Sequence, residues 1–280
     1  MTFLQDVILG IIQGLTEFLP VSSSGHLVIF QNLFGMSEPN IFFDICVHIG
    51  TLLAVIVVFW KELAQIIVEV CRHWRRFFSP AGWHFLFFEN AITRTAILIV
   101  IASVPTAILG ILFSQIAHMV FGQMWLVGIF LVMTGTLLCR TKNVVAGQRK
   151  ARDLTVRDAL IIGTAQGIAV LPGISRSGAT ISAALFRGVQ ASTAGRFSFL
   201  LSIPAILGSF ILEFDRSVFE VGSAQFEGYL AAGLTAGFVG FLALIFFMKV
   251  IEKGRLYMFA PYCWAVGVLT FGIGMYRMFY

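Results

Sequence analysis

Leu19-Pro20-Val21-Ser22-Ser23-Ser24-Gly25-His26 breaks the middle of an apolar stretch running from residue 3 to 35, and Leu171-Pro172-Gly173-Ile174-Ser175-Arg176-Ser177-Gly178 breaks a second one from 158 to 190. A membrane crossing takes about 20 apolar residues, and neither half of either stretch supplies them. Proline and glycine at such a point free backbone N–H and C=O groups that lipid cannot satisfy. The break survives at membrane depth only inside protein or beside a water-filled cavity. Each stretch therefore predicts a re-entrant helical hairpin, with two ordinary kinked spanning helices as the alternative.

The rest of the chain makes a lipid setting necessary. Of 280 residues, 58% are apolar before the 27 glycines are counted and only 12% are charged, against about 25% in soluble chains. With 29 phenylalanines and a mean hydropathy of +0.91, too little polar side chain remains to cover a water-facing surface. That excludes a soluble enzyme and a soluble nucleic-acid binder. The net charge of +5 sits in short basic clusters between apolar stretches, a pattern of membrane topology and not of a nucleic-acid face. Cys46, Cys71, Cys139 and Cys263 share no metal-ligand spacing and read as small core hydrophobes. The first 20 residues contain no Lys or Arg and carry Gln13 and Glu17 within their apolar part; unlike a secretory signal, they are expected to belong to the working protein.

Six uninterrupted stretches reach spanning length, roughly 41 to 60, 95 to 113, 120 to 139, 197 to 214, 228 to 248 and 257 to 276. The two broken stretches are copies of each other. Gly10-x-x-Gln13-Gly14-Leu15 answers Gly163-x-x-Gln166-Gly167-Ile168, Leu-Pro follows in both, and Ser-x-Ser-Gly closes both, at an offset of 153 with a one-residue slip between. Three spanning stretches follow each copy, and an odd number of crossings turns the second copy over in the membrane, as in an inverted repeat. Charge agrees. The connection from 61 to 94 holds Lys61, Arg72, Arg75, Arg76 and Arg94; that from 140 to 157 holds Arg140, Lys142, Arg149, Lys150, Arg152 and Arg157; Lys249, Lys253 and Arg255 precede the last span. These belong on the cytoplasmic side. Residues 114 to 119 carry no positive charge, and 213 to 227 set Glu213, Asp215, Glu220 and Glu227 against Arg216; both connections, with the termini, are expected outside. The predicted fold is an all-α polytopic membrane protein, a single membrane domain over 1 to 280. It has six transmembrane helices plus two re-entrant helical hairpins in an inverted repeat, with halves at approximately 1 to 140 and 155 to 280 and hairpin tips meeting near the midplane.

Gln13 and Glu17 lie four apart, on one face of the helix leading to the first break. An ionisable carboxylate inside an apolar stretch is costly unless it faces a polar interior, which argues for a functional position; an interfacial glutamate at the hairpin's mouth is the plainer reading. Ser22, Ser23, Ser24 and His26 add hydroxyls and an imidazole at the break. A nucleophile and its base need these residue types, although serine and glycine are also common turn formers. In the second copy Arg176 takes the tip, flanked by Ser175, Ser177 and Gly178, and Ala179-Thr180-Ile181 opens the next helix. A Gly/Ser loop running into a helix N-terminus offers N–H groups to an anion, and Arg adds a planar bidentate donor suited to phosphate. An Arg snorkelling to the cytoplasmic edge is the plainer reading here. Convergence of both tips on one cavity suggests phosphoryl chemistry on a substrate whose other end is lipid. Asp44 and His48 share a face of the first full span and either line that cavity or sit solvated; His73, His84 and His118 carry no assignment.

These motifs resemble the undecaprenyl-diphosphate phosphatase family, the integral-membrane type that confers bacitracin resistance. The resemblance covers essentially the whole chain: Gln13, Glu17 and the run from Pro20 to His26 match its first signature, Pro172 to Thr180 its second, and Phe197 to Leu201 a later Phe-Ser-Phe-Leu-Leu run. It implies hydrolysis of undecaprenyl diphosphate to undecaprenyl phosphate and inorganic phosphate, recycling the lipid carrier of cell-wall synthesis in the bacterial cytoplasmic (inner) membrane, with a divalent cation, Mg or Ca. It implies Ser23 as nucleophile and His26 as general acid/base, or His26 itself as the attacking group. Glu17 and Gln13 fall at the metal, and Arg176 with Ser175, Ser177 and Thr180 at the phosphate. Many members carry Glu where this chain has Gln13, which leaves one carboxylate fewer for a metal. The competing expectation is a polyprenyl-phosphate carrier or flippase, since broken helices in an inverted repeat also build transporters and fold does not fix function; transport does not need a nucleophile-base pair beside an Arg clamp. The expected partners are the polyprenyl diphosphate and membrane lipids, with no nucleic acid and the oligomeric state open. The orientation derived above has the active site opening to the outer, periplasmic face.

Overall fold

The computed structural model describes residues 2–36, 41–144, 147–213 and 223–279. Among these residues there is no β-strand, only an isolated bridge between Arg149 and Val189. The chain runs α1 (Phe3–Phe18), α2 (Ser23–Leu33), α3 (Ile41–Val58), α4 (Trp60–His73), α5 (Pro80–His84), α6 (Ala91–Phe121) and α7 (Met124–Arg140), then α8 (Val156–Ile168), α9 (Arg176–Phe186), α10 (Ala191–Glu213), α11 (Ser223–Glu252) and α12 (Ala260–Phe279). Among the described residues, five segments are long and apolar enough to cross a membrane: Ala91–Ser114, Met124–Asn143, Ala191–Leu212, Gln225–Glu252 and Leu256–Phe279. The protein is an integral membrane protein.

Three sequence expectations change. The first full span, expected over 41 to 60, is α3, which passes as a crossing only together with the helical segment starting at Trp60, from which it is bent by 77°. The connection from 61 to 94 is largely helical: α4, a 3-10 helix over Trp74–Phe78, and α5. The reason is amphipathic spacing. Leu63 and Ile66 reach the core while Lys61, Glu62 and Arg72 share the helix with them. Residues 114 to 119, expected as an outer connection, are the last turns of α6, because neither proline nor glycine occurs between Gly110 and Gly122. Of the charges that placed the 213 to 227 connection outside, Asp215, Arg216 and Glu220 lie outside the described residues. Cys263 is buried and Cys46 and Cys139 are half-buried, as core hydrophobes would be, but Cys71 is exposed on α4.

Packing is exchanged between the two halves of the chain. The heaviest contacts join α1 to α11, α8 to α6, α3 to α11 and α7 to α12. Each broken helix pair therefore docks its first helix on the long helix of the other half. Small residues allow this closeness: Gly10 and Gly14 lie against Ala232, Ala236 and Gly240, and the matching Gly163 and Gly167 lie against Ala102, Pro105 and Leu109. Phe199 of α10 centres an aromatic cluster with Phe18, Phe59 and Phe247, at ring-centroid separations of 5.7, 6.1 and 6.3 Å. Because Phe18 ends α1, this cluster fixes the backbone beside Glu17. At the open end of α8, Asp158 is fully buried and accepts from Arg149 at 2.5 Å and Arg187 at 2.7 Å, tying the preceding connection to α8 and α9.

Candidate active site

α1 ends at Phe18 because Pro20 disfavours helical geometry at the residue before it; Leu19 is extended, with φ −64° and ψ 145°. Ser22 then takes φ +67°, a left-handed conformation unusual for a residue with a side chain, and caps α2. Its hydroxyl accepts from the Gly25 amide at 3.3 Å and, across to the other tip, from the Gly173 amide at 3.0 Å. The second tip repeats the device: Ser175, 153 residues on, caps α9 by accepting from the Gly178 amide at 3.1 Å. Ser23 and Arg176 thus hold equivalent first positions of two helices whose N-terminal amides lack intrahelical acceptors.

The tips touch directly. A Cβ added to Gly25 would stand 3.2 Å from the Gly173 Cα, so a side chain there would force the tips apart. Gly173 itself has φ +100°, and an added Cβ would meet the Val127 carbonyl at 2.6 Å; only glycine serves both demands. Ser177 donates to the Leu19 carbonyl at 3.2 Å. Thr134 of α7 donates to the Gly173 carbonyl at 2.9 Å and accepts from the Ser175 amide at 3.1 Å.

Glu17 is the node of the site. Its Oε2 accepts from the Ser23 hydroxyl at 2.6 Å and from Gln13 Nε2 at 3.0 Å, and its Oε1 accepts from Arg176 Nη2 at 2.5 Å. Glu17 and Gln13 are buried, and Ser23 and Arg176 are half-buried. The Nε2 of His48 stands 3.8 Å from Glu17 Oε2, and its Nδ1 faces the Asp44 carbonyl at 2.7 Å. Two buried polar atoms of this cluster have no partner among the described residues: Arg176 Nη1 and Gln13 Oε1. The arrangement joins a serine hydroxyl held by a carboxylate to a guanidinium with an unpartnered N–H group, a donor that can take an anionic oxygen.

The family described as "Bacitracin resistance protein BacA" matches residues 6–269. The chain belongs to that family. Among its relatives, the undecaprenyl-diphosphatase of Desulforapulum autotrophicum is 47% identical over 270 residues, covering 96% of this chain and 98% of that protein. The undecaprenyl-diphosphatase of Desulfosudis oleivorans is 48% identical over 276 residues, covering 97% and 98%. That of Alkaliphilus metalliredigens is 41% identical over 273 residues, covering 96% and 98%.

Within this member of the BacA family, Gln13, Glu17, Ser23 and Arg176 come together, and Ser175 and Ser177 shape the second tip. His48, left open between cavity and solvent by the sequence, borders Glu17; Asp44 accepts from Gln31 at 3.0 Å. Thr180 stands apart from the cluster: its hydroxyl donates to the Arg176 carbonyl at 2.8 Å and meets Ser198 at 2.5 Å, so it braces α9 against α10. His26 is not hydrogen-bonded to Ser23. Its Nδ1 faces the Ser22 carbonyl at 2.8 Å and its Nε2 the hydroxyl of Tyr262 at 2.7 Å. Tyr262 was not singled out from sequence; it lies 236 positions away in an aromatic-rich apolar run that gives no local signal.

Proposed function

We infer that this protein is an undecaprenyl-diphosphatase, hydrolysing undecaprenyl diphosphate to undecaprenyl phosphate and inorganic phosphate. The observation that carries the reading is the Ser23 hydroxyl donating to a buried Glu17 carboxylate that is itself tied to Arg176. Relatives named undecaprenyl-diphosphatase that align over nearly the whole chain support it. A carrier is not favoured, because transport gives no use to a hydroxyl-carboxylate pair beside an anion clamp.

The terminal phosphate lies between the N-termini of α2 and α9, where helix dipoles and free amides favour an anion, and Arg176 Nη1 takes one of its oxygens. Ser23 Oγ attacks the terminal phosphorus, Glu17 takes the hydroxyl proton, and the bond to the bridging oxygen breaks, releasing undecaprenyl phosphate. Water then attacks the phosphoserine and gives up its proton toward His26, while Oγ recovers the proton held by Glu17. The position of His26, three residues after Ser23 on one helix face, supports this second step.

The donor set suits a hard divalent cation. Among the described residues no three His, Cys, Asp or Glu side chains gather as a metal site, but the unpartnered Gln13 Oε1 and the Glu17 carboxylate are oxygen donors on one helix face. Mg commonly uses one or two carboxylates and completes its shell with substrate phosphate and water, and the larger Ca would draw more of its oxygens from the same sources. Bound there, the cation neutralises charge on the diphosphate. The expected result is phosphate release from a long-chain prenyl diphosphate by purified protein, lost with a chelator and restored by Mg or Ca. Absence of release with cation present contradicts the function, and release indifferent to chelator contradicts the cation.

The same reading takes α1/α2 and α8/α9 as re-entrant hairpins and α3 as a sixth crossing, in halves 1 to 140 and 155 to 280 related by an inverted repeat. The matched motifs, the exchanged docking of α1 and α8 and the contact between tips support it. With the basic connections in the cytoplasm of a bacterial cell, the first hairpin enters the cytoplasmic (inner) membrane from its outer face and the site opens outward; the partial exposure of His48 beside Glu17 supports an access route at that end of the site. In a cysteine-free background on intact cells, a membrane-impermeant thiol reagent should label a cysteine at 123 and spare one at 148, both exposed positions; the reverse pattern inverts the orientation.

A further inference from the structure

Two contacts leave His26 with a single usable nitrogen. The Ser22 carbonyl can only accept, so Nδ1 carries the hydrogen of the neutral ring and the lone pair lies on Nε2. That carbonyl belongs to the residue held at φ +67°, so the tautomer is set by the turn itself. Nε2 is not open: the Tyr262 hydroxyl donates to it at 2.7 Å, with the two rings parallel to within 4° and their centroids 5.7 Å apart.

We propose that His26 acts through Tyr262, whose phenol holds the imidazole in one tautomer and passes to Nε2 the proton released by the attacking water. This rests on the phosphoryl-transfer reading of the tips. The placement of Tyr262 is fixed independently of His26. The adjacent Cys263 is fully buried, and its thiol faces the Pro20 carbonyl at 3.5 Å, while α12 packs along α7, whose Thr134 holds the opposite tip. One helix pair thus sets the imidazole and the second tip in register.

A phenol accepts as well as donates. As the attacking water gives its proton to the phenol oxygen, the phenol O–H proton passes to Nε2, and the pair stays bonded with its direction reversed: Nε2–H then donates to the phenol oxygen. The Tyr262 ring is only partly covered, at 46% exposure, so the relay needs no rearrangement of the core. The imidazole therefore keeps one position in both protonation states, which a ring held only by Nδ1 would not.

Tyr262→Phe removes the hydroxyl and keeps the ring. The expected result is a fall in kcat of about tenfold with KM unchanged within about twofold, a part of the 10²–10⁴ that an acid-base group supplies. A second readout does not depend on turnover: carbethoxylation of His26 by diethylpyrocarbonate, followed by peptide mass spectrometry, should quicken by about fivefold, the worth of one hydrogen bond lost at Nε2. His73 and His84 serve as controls in the same sample. An unchanged kcat, or a lowered kcat with His26 reactivity unchanged, overturns the proposal. If the unaltered protein releases no phosphate at all, the functional reading fails, while the His26 labelling comparison still decides whether Tyr262 caps Nε2.

Discussion

Arg176→Lys should lower kcat/KM by about a thousandfold, nearly as much as Arg176→Ala, at the upper end of what one oxyanion donor supplies. The guanidinium uses Nη2 on Glu17 at 2.5 Å and keeps Nη1 buried and unpartnered. Its planar fork can hold the carboxylate and a phosphate oxygen together. An ammonium is a compact point charge that cannot reproduce the fork. Lysine still neutralises Glu17, so thermal unfolding in detergent should change little, which separates lost chemistry from lost folding. Initial rates of phosphate release by the purified variant measure the effect; activity within about tenfold of the unaltered protein would show Arg176 to be a diffuse attractor.

Ser23→Ala should lower kcat by about a thousandfold or more, as removal of a nucleophile does. The change is structurally mild, because the cap of α2 is the hydroxyl of Ser22 and Ser23 is only half-buried. Ser24→Ala is the matched control. Its hydroxyl meets that of Ser22 at 3.4 Å, while Glu17 is held by Gln13, Ser23 and Arg176, so its rate should stay within about threefold, the value of a weak hydrogen bond. If Ser23→Ala turns over normally and His26→Ala does not, the attacking atom is His26 Nε2.

Both broken helix pairs were legible because the chemistry of a break is local: Pro20 and Pro172 each stand in a run of serine and glycine, whereas Pro105 and Pro204, flanked by helix-compatible residues, lie inside α6 and α10. Segment ends were legible only where hydropathy and backbone chemistry coincide. At Ser114 hydropathy falls but nothing breaks the helix, so α6 continues to Phe121. Over 61 to 94 a search for long apolar runs passes over α4, whose apolar residues recur at helical spacing among charges. The same division holds at the site. Glu17, Ser23 and Arg176 were each identifiable as costly or reactive groups at membrane depth, and the inverted repeat led to the expectation that their tips converge, yet which of their atoms would bond was not legible. Sequence proximity and family resemblance pair Ser23 with His26; the left-handed turn at Ser22 returns Ser23 to Glu17, six positions earlier. Glu17 and Arg176 lie 159 positions apart, and His26 and Tyr262 lie 236 apart. Only the exchanged docking of the two halves brings those pairs within hydrogen-bonding distance.

A site shared between the two tips is tested most directly by a double-mutant cycle on phosphate release, with Glu17→Gln, Arg176→Lys and the combined variant purified and assayed side by side. Groups that act as one unit lose their function together. The combined variant should therefore be no slower than the slower single variant, within about threefold. Losses that multiply would show Glu17 and Arg176 contributing independently, and would contradict a catalytic centre assembled from both tips.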